Sequence, residues 1–262
     1  MAYRSRSINA NLTKASASLG DVRELLKLWE PEVEDPAKFL LRAFDQNVLG
    51  KSSPRRMKDI VRNVMARRYF PNSSRQPAEN LRKTIIAGLP RSVTDRLLYY
   101  HAALAEHLLY RMATELFYDL RTRGFDSVPV YEVEAHIRFL DEVGEKETYS
   151  DSVRKRLCQH TLAALRDFTI LEGKNNKRIA PVHIPVEVTG YVVFSLKDEN
   201  HSSKNITEHQ DWRLYLLTAT EVERSIIEAA GKGWFSYERA GDIHRFDWHI
   251  PSLDDYVNAI TQ

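Results

Sequence analysis

Two basic runs carry the strongest chemical signal in this chain of 262 residues: Arg154-Lys155-Arg156 and Lys174-Asn175-Asn176-Lys177-Arg178. Guanidinium and ammonium groups set this close together suit an extended anion, such as the phosphate backbone of a nucleic acid. With Arg166 the stretch holds seven basic residues against Asp167 and Glu172, a net charge of +5. Gln159 falls on the same expected helix arc as Ser152, Lys155, Arg156 and Arg166, where a side-chain amide can read an adenine edge. A third group, Arg55, Lys58 and Arg62, lies in "SSPRRMKDIVRNVMARRYF", with Arg67 and Arg68 near the end of that segment.

Catalytic chemistry finds no comparable footing. The chain has no phosphate-cradling GxxxxGK loop followed by Ser or Thr, no GxGxxG, no HExxH and no GxSxG. His101 and His107 do not share a helix face at ligand spacing. Alternation in a strand puts His244 with Asp242 on one face and Asp247 with His249 on the other, the pattern of ordinary exposed strand residues. The one cysteine, Cys158, excludes an internal disulfide and a Cys-based zinc site, and it sits at the edge of an apolar helix face as a small packed residue. Neither a metal nor a cofactor is expected, and no enzyme.

The elements that must hold these residues are mostly helices. Asp21 opens a helix that stops before Pro31. Asp35 and Pro36 form an N-cap and first helical position, and Ser53 with Pro54 form another. In the third helix Met57, Ile60, Val61, Val64 and Met65 make a buried stripe, which leaves Arg55, Lys58 and Arg62 on the other side. "PNSSRQP" is a loop, and residues 93–121 read as one long central helix. Residues 130–143 form a helix, "GEKETYS" a turn, and Ser150 or Asp151 caps the next helix, with Val153, Leu157, Thr161, Ala164, Leu165 and Phe168 on its buried arc. "FTILEG" and "KRIAPVHI" are strands around a turn in which Gly173, Asn175 and Asn176 tolerate left-handed backbone.

Helix, turn, helix and hairpin in that order predict a winged helix, with the second helix in a major groove and the hairpin tip, residues 174–178, on a neighbouring phosphate. Residues 188–196 fit a strand or a helix. Residues 197–210 read as a flexible polar loop, "TATEVERSIIEAAGKG" as a helix and "WFSYERAGDIHRFDWHI" as a second hairpin, its acidity favouring protein contact. His183-Ile184-Pro185 and His249-Ile250-Pro251 each follow a hairpin, a match too short to establish a repeat.

Whole-chain charge is nearly balanced, 38 Lys and Arg against 36 Asp and Glu, but its distribution is not. Residues 51–100 carry +9, residues 101–150 carry −5 and residues 201–262 carry −4. Basic charge concentrated by position is the footprint of a nucleic-acid surface. No apolar run approaches the roughly 18 to 20 residues that span a bilayer, and "MAYRSRSINANLTKASASLG" lacks the hydrophobic stretch of a signal peptide. A soluble, cytoplasmic protein without membrane contact is expected.

"NVLGKSSPRRMKDIVRNVMARR" at 47–68, "YSDSVRKRLCQHTLAALRDFTIL" at 149–171, "SIN" near Ser7 and the closing "WFSYERAGDIHRFDW" together resemble the BrxA family. Its members are small helical proteins of bacterial BREX phage-defence islands, likened to NusB-type antitermination factors. Tyr149 stands where the family often has Trp. The resemblance implies a non-enzymatic, nucleic-acid-associated part in restricting phage, alongside other proteins of the island.

The expected fold is mainly α, a helical bundle with a central winged-helix element and short β-hairpins. Three regions are expected: a helical region over 1–95, the long helix with the winged element over 96–186, and a helix-and-hairpin subdomain over 187–262. The expected partner is double-stranded DNA, with RNA bound in the antitermination manner, or a protein scaffold role in the defence complex, as alternatives.

Overall fold

The computed structural model describes residues 11–14, 16–143 and 149–262. "SIN" near Ser7 and most of the "GEKETYS" turn lie outside the described residues. Thirteen α-helices and four short strands are described, in the order α1 (Leu19–Leu28), α2 (Pro36–Asp45), α3 (Pro54–Asp59), α4 (Gln76–Ile86), α5 (Arg91–Ala105), α6 (His107–Arg111), α7 (Tyr118–Thr122), α8 (Val130–Glu142), α9 (Asp151–Asp167), β1 (Leu171–Glu172), β2 (Arg178–Ile179), α10 (Val186–Asp198), α11 (Ser203–Thr207), α12 (Ala219–Ala230), β3 (Phe235–Ala240), β4 (Ile243–Trp248) and α13 (Leu253–Ile260). The fold is mainly α, with two antiparallel hairpins, β1–β2 and β3–β4.

Local chemistry explains the helix starts. The Asp35 carboxylate accepts the Lys38 N–H at 2.9 Å and Pro36 occupies the first turn, while Ser53 Oγ accepts the Arg56 N–H ahead of α3. Beyond α3 the chain continues as π-helix over Ile60–Tyr69, closing with the Phe70 N–H on the Met65 carbonyl. Met57, Ile60, Val61, Val64 and Met65 are all buried, as their spacing predicts. One apolar core runs from Leu12 to Val257 and joins all parts of the chain.

Two expectations are corrected and one left open is decided. Residues 93–121 are not one helix. The chain breaks at Glu106, whose backbone is extended (φ −112°, ψ 93°), then resumes through α6, a π-helical turn at Met112–Phe117 and α7. At the break the Glu106 carboxylate is buried against the equally buried Arg68 at 3.2 Å, the partner that a charge removed from water needs. Residues 188–196 are helical, in α10. Val188 and everything from Thr189 to Leu196 are buried, so no polar face marks the helical period. Residues 197–210 are not a loop throughout; α11 stands there, capped by Ser202 and anchored by buried Ile206 and Thr207. Gly190 lets α13 approach α10, since a Cβ there would lie 2.4 Å from the Tyr256 hydroxyl.

Candidate nucleic-acid interface

Residues 107–179 build a small three-helix unit with a sheet at one corner. After α7, residues 126–128 run antiparallel to β2: Ser127 bridges Arg178, the Val128 N–H donates to the Lys177 carbonyl and the Ile179 N–H to Asp126, each at 3.0 Å. β2 pairs on its other side with β1. The order is therefore helix, an extended segment with a single bridge at Ser127, helix, helix, hairpin, with β2 between that segment and β1. Sequence reasoning missed this bridge; three residues between a glycine turn and Pro129 carry too little alternation to show. The hairpin turn requires Gly173, whose φ is +87° and whose hypothetical Cβ would lie 2.1 Å from the Asn176 carbonyl oxygen.

A buried carboxylate fixes where α9 starts. Asp141, at the end of α8, accepts the Tyr149 N–H at 2.9 Å and an Arg154 N–H at 2.9 Å. Ser150 occupies the N-cap position of α9, but its side chain accepts no cap bond there. Arg154 bridges Asp141 and exposed Asp151, so it holds the turn between α8 and α9 and is not a free member of the basic run. Leu157, Thr161, Ala164, Leu165 and Phe168 are buried, as is Cys158, whose thiol burial pushes up to about 11. Cys158 is a packed residue.

The opposite arc of α9 is open. Ser152, Lys155, Arg156 and Gln159 are exposed, and Lys155 and Arg156 are in no ion pair among the described residues. His160, one turn beyond Arg156, is held below its ordinary pKa by burial first and by Arg156 second. Arg166 is half-buried and pairs with Asp167 at 2.6 Å. Lys177 at the hairpin is lowered by burial first and then by Arg166, with Asp167 opposing, which places Arg166 and Lys177 in one electrostatic neighbourhood. Lys177 also donates to the Lys174 carbonyl and so closes the turn. Lys174 is exposed at the tip. Arg178, expected at the tip, is instead the first residue of β2, paired with Glu172 at 3.0 Å.

Arg55, Lys58 and Arg62 are exposed on the helix spanning 54–69, in no ion pair among the described residues. The segment at Asn11–Thr13 packs on α9, and Arg56 and Arg68 reach Ser18 and Ser16 in the same stretch, so the two helices are neighbours through it. Described hydrogen bonds and ion pairs do not join the two basic clusters directly. Part of the basic charge over 51–100 is engaged inside the fold. Lys51 pairs with Asp21, Arg75 with Glu79 and Lys83 with Asp254, and Arg82 donates to the Trp29 carbonyl. Arg68, near the end of the same segment, is the buried partner of Glu106.

A second unit repeats part of this order. α12 is followed by β3–β4, His249-Ile250-Pro251 and α13, as α9 is followed by β1–β2, His183-Ile184-Pro185 and α10. The His244 ring nitrogen Nδ1 meets the Thr207 and Tyr237 hydroxyls at 3.0 and 2.9 Å, and His249 meets Ser236 and the Gly233 carbonyl. Among the described residues no group of three or more His, Cys, Asp or Glu side chains is arranged to hold a metal ion. No helix among them is long and apolar enough to cross a membrane.

The fold is similar to that of an uncharacterized protein from Magnetospirillum magneticum, known from its crystal structure. The TM-score is 0.50 at 17% identity, covering 79% of this chain and 97% of that one. None of the curated proteins matches the sequence. The family model for BrxA matches residues 7–195, which include α9, the first hairpin and the helix at 54–69. The chain belongs to the BrxA family, and that membership implies a component of a BREX phage-defence system.

Proposed function

We propose that this chain is a non-enzymatic, cytoplasmic component of the defence system that binds double-stranded DNA through a winged helix formed by residues 107–179. One observation carries the reading: Lys155, Arg156 and Lys174 are exposed cations in no ion pair among the described residues, on the helix and hairpin that this architecture turns toward DNA. α9 lies in the major groove with Ser152 and Gln159 toward the base edges, and Lys174 and Lys177 reach phosphates beside it. Binding is electrostatic at root, because each phosphate neutralised releases condensed counterions. Other proteins of the defence island supply the chemistry.

A second reading has its own support. Arg55 and Lys58 on α3 and Arg62 in the π-helical stretch that continues it form an exposed row, in no ion pair among the described residues, and π-helical turns collect at functional sites. That row suits RNA. Retention of the protein on duplex DNA and on single-stranded RNA of equal length, titrated with salt, separates the two. Duplex binding whose salt slope falls by about 0.9 for each contact removed at Lys155 and Arg156 supports the DNA reading. RNA binding that depends on Arg55, Lys58 and Arg62 supports the other. Retention of neither at low salt leaves a protein scaffold.

A further inference from the structure

α4, α5, α10 and α13 enclose a cavity of about 220 Å³, apart from both basic clusters. Its floor is polar and buried. The His101 Nε2 lies 2.7 Å from the Tyr191 hydroxyl, and the Asn80 side chain faces the same hydroxyl. Burial holds His101 at about 4, so near pH 7 its ring is neutral and puts no positive charge on the floor. Ser195, one turn along α10 from Tyr191, is only 4% exposed, and its hydroxyl is in no hydrogen bond among the described residues. The second ring nitrogen of His101, Nδ1, is in none either. Buried polar groups are normally paired. A hydroxyl and a ring nitrogen left over on one cavity wall therefore point to a ligand that pairs with them.

The mouth has a different character. Gln76, Asp198 and Asp254 stand exposed there. The Gln76 amide nitrogen donates to the Asn80 carbonyl at 3.0 Å and to Asp254 at 3.3 Å. A carboxylate only accepts, so Asp254 orients that amide and leaves the Gln76 carbonyl oxygen as an acceptor. Asp254 pairs with Lys83 at 2.8 Å. Asp198 accepts the Leu253 N–H at 3.0 Å but is in no ion pair among the described residues. Among those residues no Lys or Arg lines the cavity, and Lys197, next to Asp198, donates to the Ile250 and Pro251 carbonyls. The mouth is thus negative and rich in acceptors, above a floor of neutral polar groups.

We infer that this cavity binds a small aliphatic amino alcohol, with its ammonium on Asp198 and the Gln76 carbonyl and its hydroxyl on Ser195 and His101. The unpaired carboxylate at the mouth selects the positive end. The floor holds no carboxylate, so a second ammonium there would lose its hydration without a counter-charge, whereas a hydroxyl finds partners. Pro77 and Leu253 give the methylenes between the two ends an apolar wall. Size sets the limit: a cavity of roughly 150 Å³ holds benzene, so this one takes a ligand of about nine non-hydrogen atoms.

Titration calorimetry of the full chain with aminopentanol, which carries an ammonium and a hydroxyl at opposite ends of a five-carbon chain, tests the inference without nucleic acid. Saturable binding is expected, with a Kd on the order of 1 mM for so small a ligand. Pentylamine, which lacks the hydroxyl, and pentanol, which lacks the ammonium, should each bind more weakly. Asp198→Asn keeps an acceptor for the Leu253 N–H and removes the charge, so affinity for aminopentanol falls about tenfold while the melting curve stays put. Ser195→Ala lowers that affinity about threefold and leaves pentylamine binding unchanged. Absence of saturable binding overturns the inference, as does an affinity indifferent to Asp198→Asn. Diaminopentane binding as tightly as aminopentanol overturns the hydroxyl end of it. Neither variant touches α9 or the first hairpin, so the outcome is independent of the DNA reading.

Discussion

The units around α9 and α12 share an order of elements and differ in what their surfaces offer. Residues 154–178 hold seven basic and two acidic residues, net +5, whereas residues 221–247 hold four basic and six acidic, net −2. In the second unit Arg239 pairs with Glu223 across to α12 and Arg245 with Asp247 along the strand. In the first, Lys155, Arg156 and Lys174 face solvent outside any ion pair. The same frame thus carries one net-positive surface with cations available to an outside anion and one net-negative surface on which two of the four cations, Arg239 and Arg245, are paired from within. Each unit nevertheless fixes the start of its exposed helix with a carboxylate and an arginine: Asp141 with Arg154 before α9, and Glu221 with Arg121 at α12. Both frames are held in part by internal ion pairs, and the two units differ in the charges left over.

The largest expected effect tests that asymmetry directly. Lys155→Ala with Arg156→Ala weakens duplex binding on the order of tenfold per lost phosphate contact at about 0.1 M salt. Arg224→Ala with Lys232→Ala, equally exposed on the second unit, leaves affinity unchanged. A salt titration of both double variants by fluorescence anisotropy checks the pair. Equal losses would erase the distinction between the units.

The two anchors differ in burial, and their removal should differ in cost. Asp141 is 6% exposed, so Asp141→Ala strands the Tyr149 N–H and the Arg154 guanidinium, a loss of about 1–3 kcal/mol in urea unfolding. Glu221→Ala costs about 1 kcal/mol or less, because the pair with Arg121 is partly solvated, although the Thr218 N–H and hydroxyl also lose their acceptor at 2.8 and 2.9 Å. If the second loss exceeded the first, burial would not be what ranks the anchors.

A smaller effect is set by pH. Glu221 is held down to about 2, from an ordinary 4.5, chiefly by hydrogen bonds from Arg121. A carboxylate depressed in the folded state binds its proton more readily when unfolded. Its contribution is therefore whole above pH about 4.5 and fades as pH falls toward about 2. Melting curves of wild type and Glu221→Gln should converge over that window and separate above it; parallel curves would show that the ion pair carries no stability.

The smallest effect lies outside both units. Substituting Ala at Arg55, Lys58 and Arg62 together changes stability by about 0–1 kcal/mol per residue at most, because the three are exposed and in no described ion pair. The same triple variant reports on function: an affinity loss for duplex or single-stranded RNA would add this row to the binding surface. A drop in melting temperature without one would assign the row to structure.

Much of this molecule was legible before any coordinates. The caps at Asp35 and Ser53, the stripe from Met57 to Met65, the helix–helix–hairpin order over 129–185 and the hairpin at 234–250 follow from local patterns that act within a few residues. The open arc of α9 was legible for the same reason, since helical spacing alone separates Leu157 and Leu165 from Lys155, Arg156 and Gln159. What the sequence could not determine was how each charge is spent. Arg154 sits in the same run as Lys155 and Arg156, yet only the packing of α8 on α9 brings Asp141 to it at 2.9 Å. Arg68 reads from the sequence only as a basic residue near the end of its helix, and the tertiary fold buries it against Glu106, where the 93–121 stretch breaks. The helix α10 was ambiguous because burial on every side removes the polar face that reveals a period. Local geometry is written in spacings along the chain; the pairing and desolvation of charges depend on distances in space, and only the folded structure sets those.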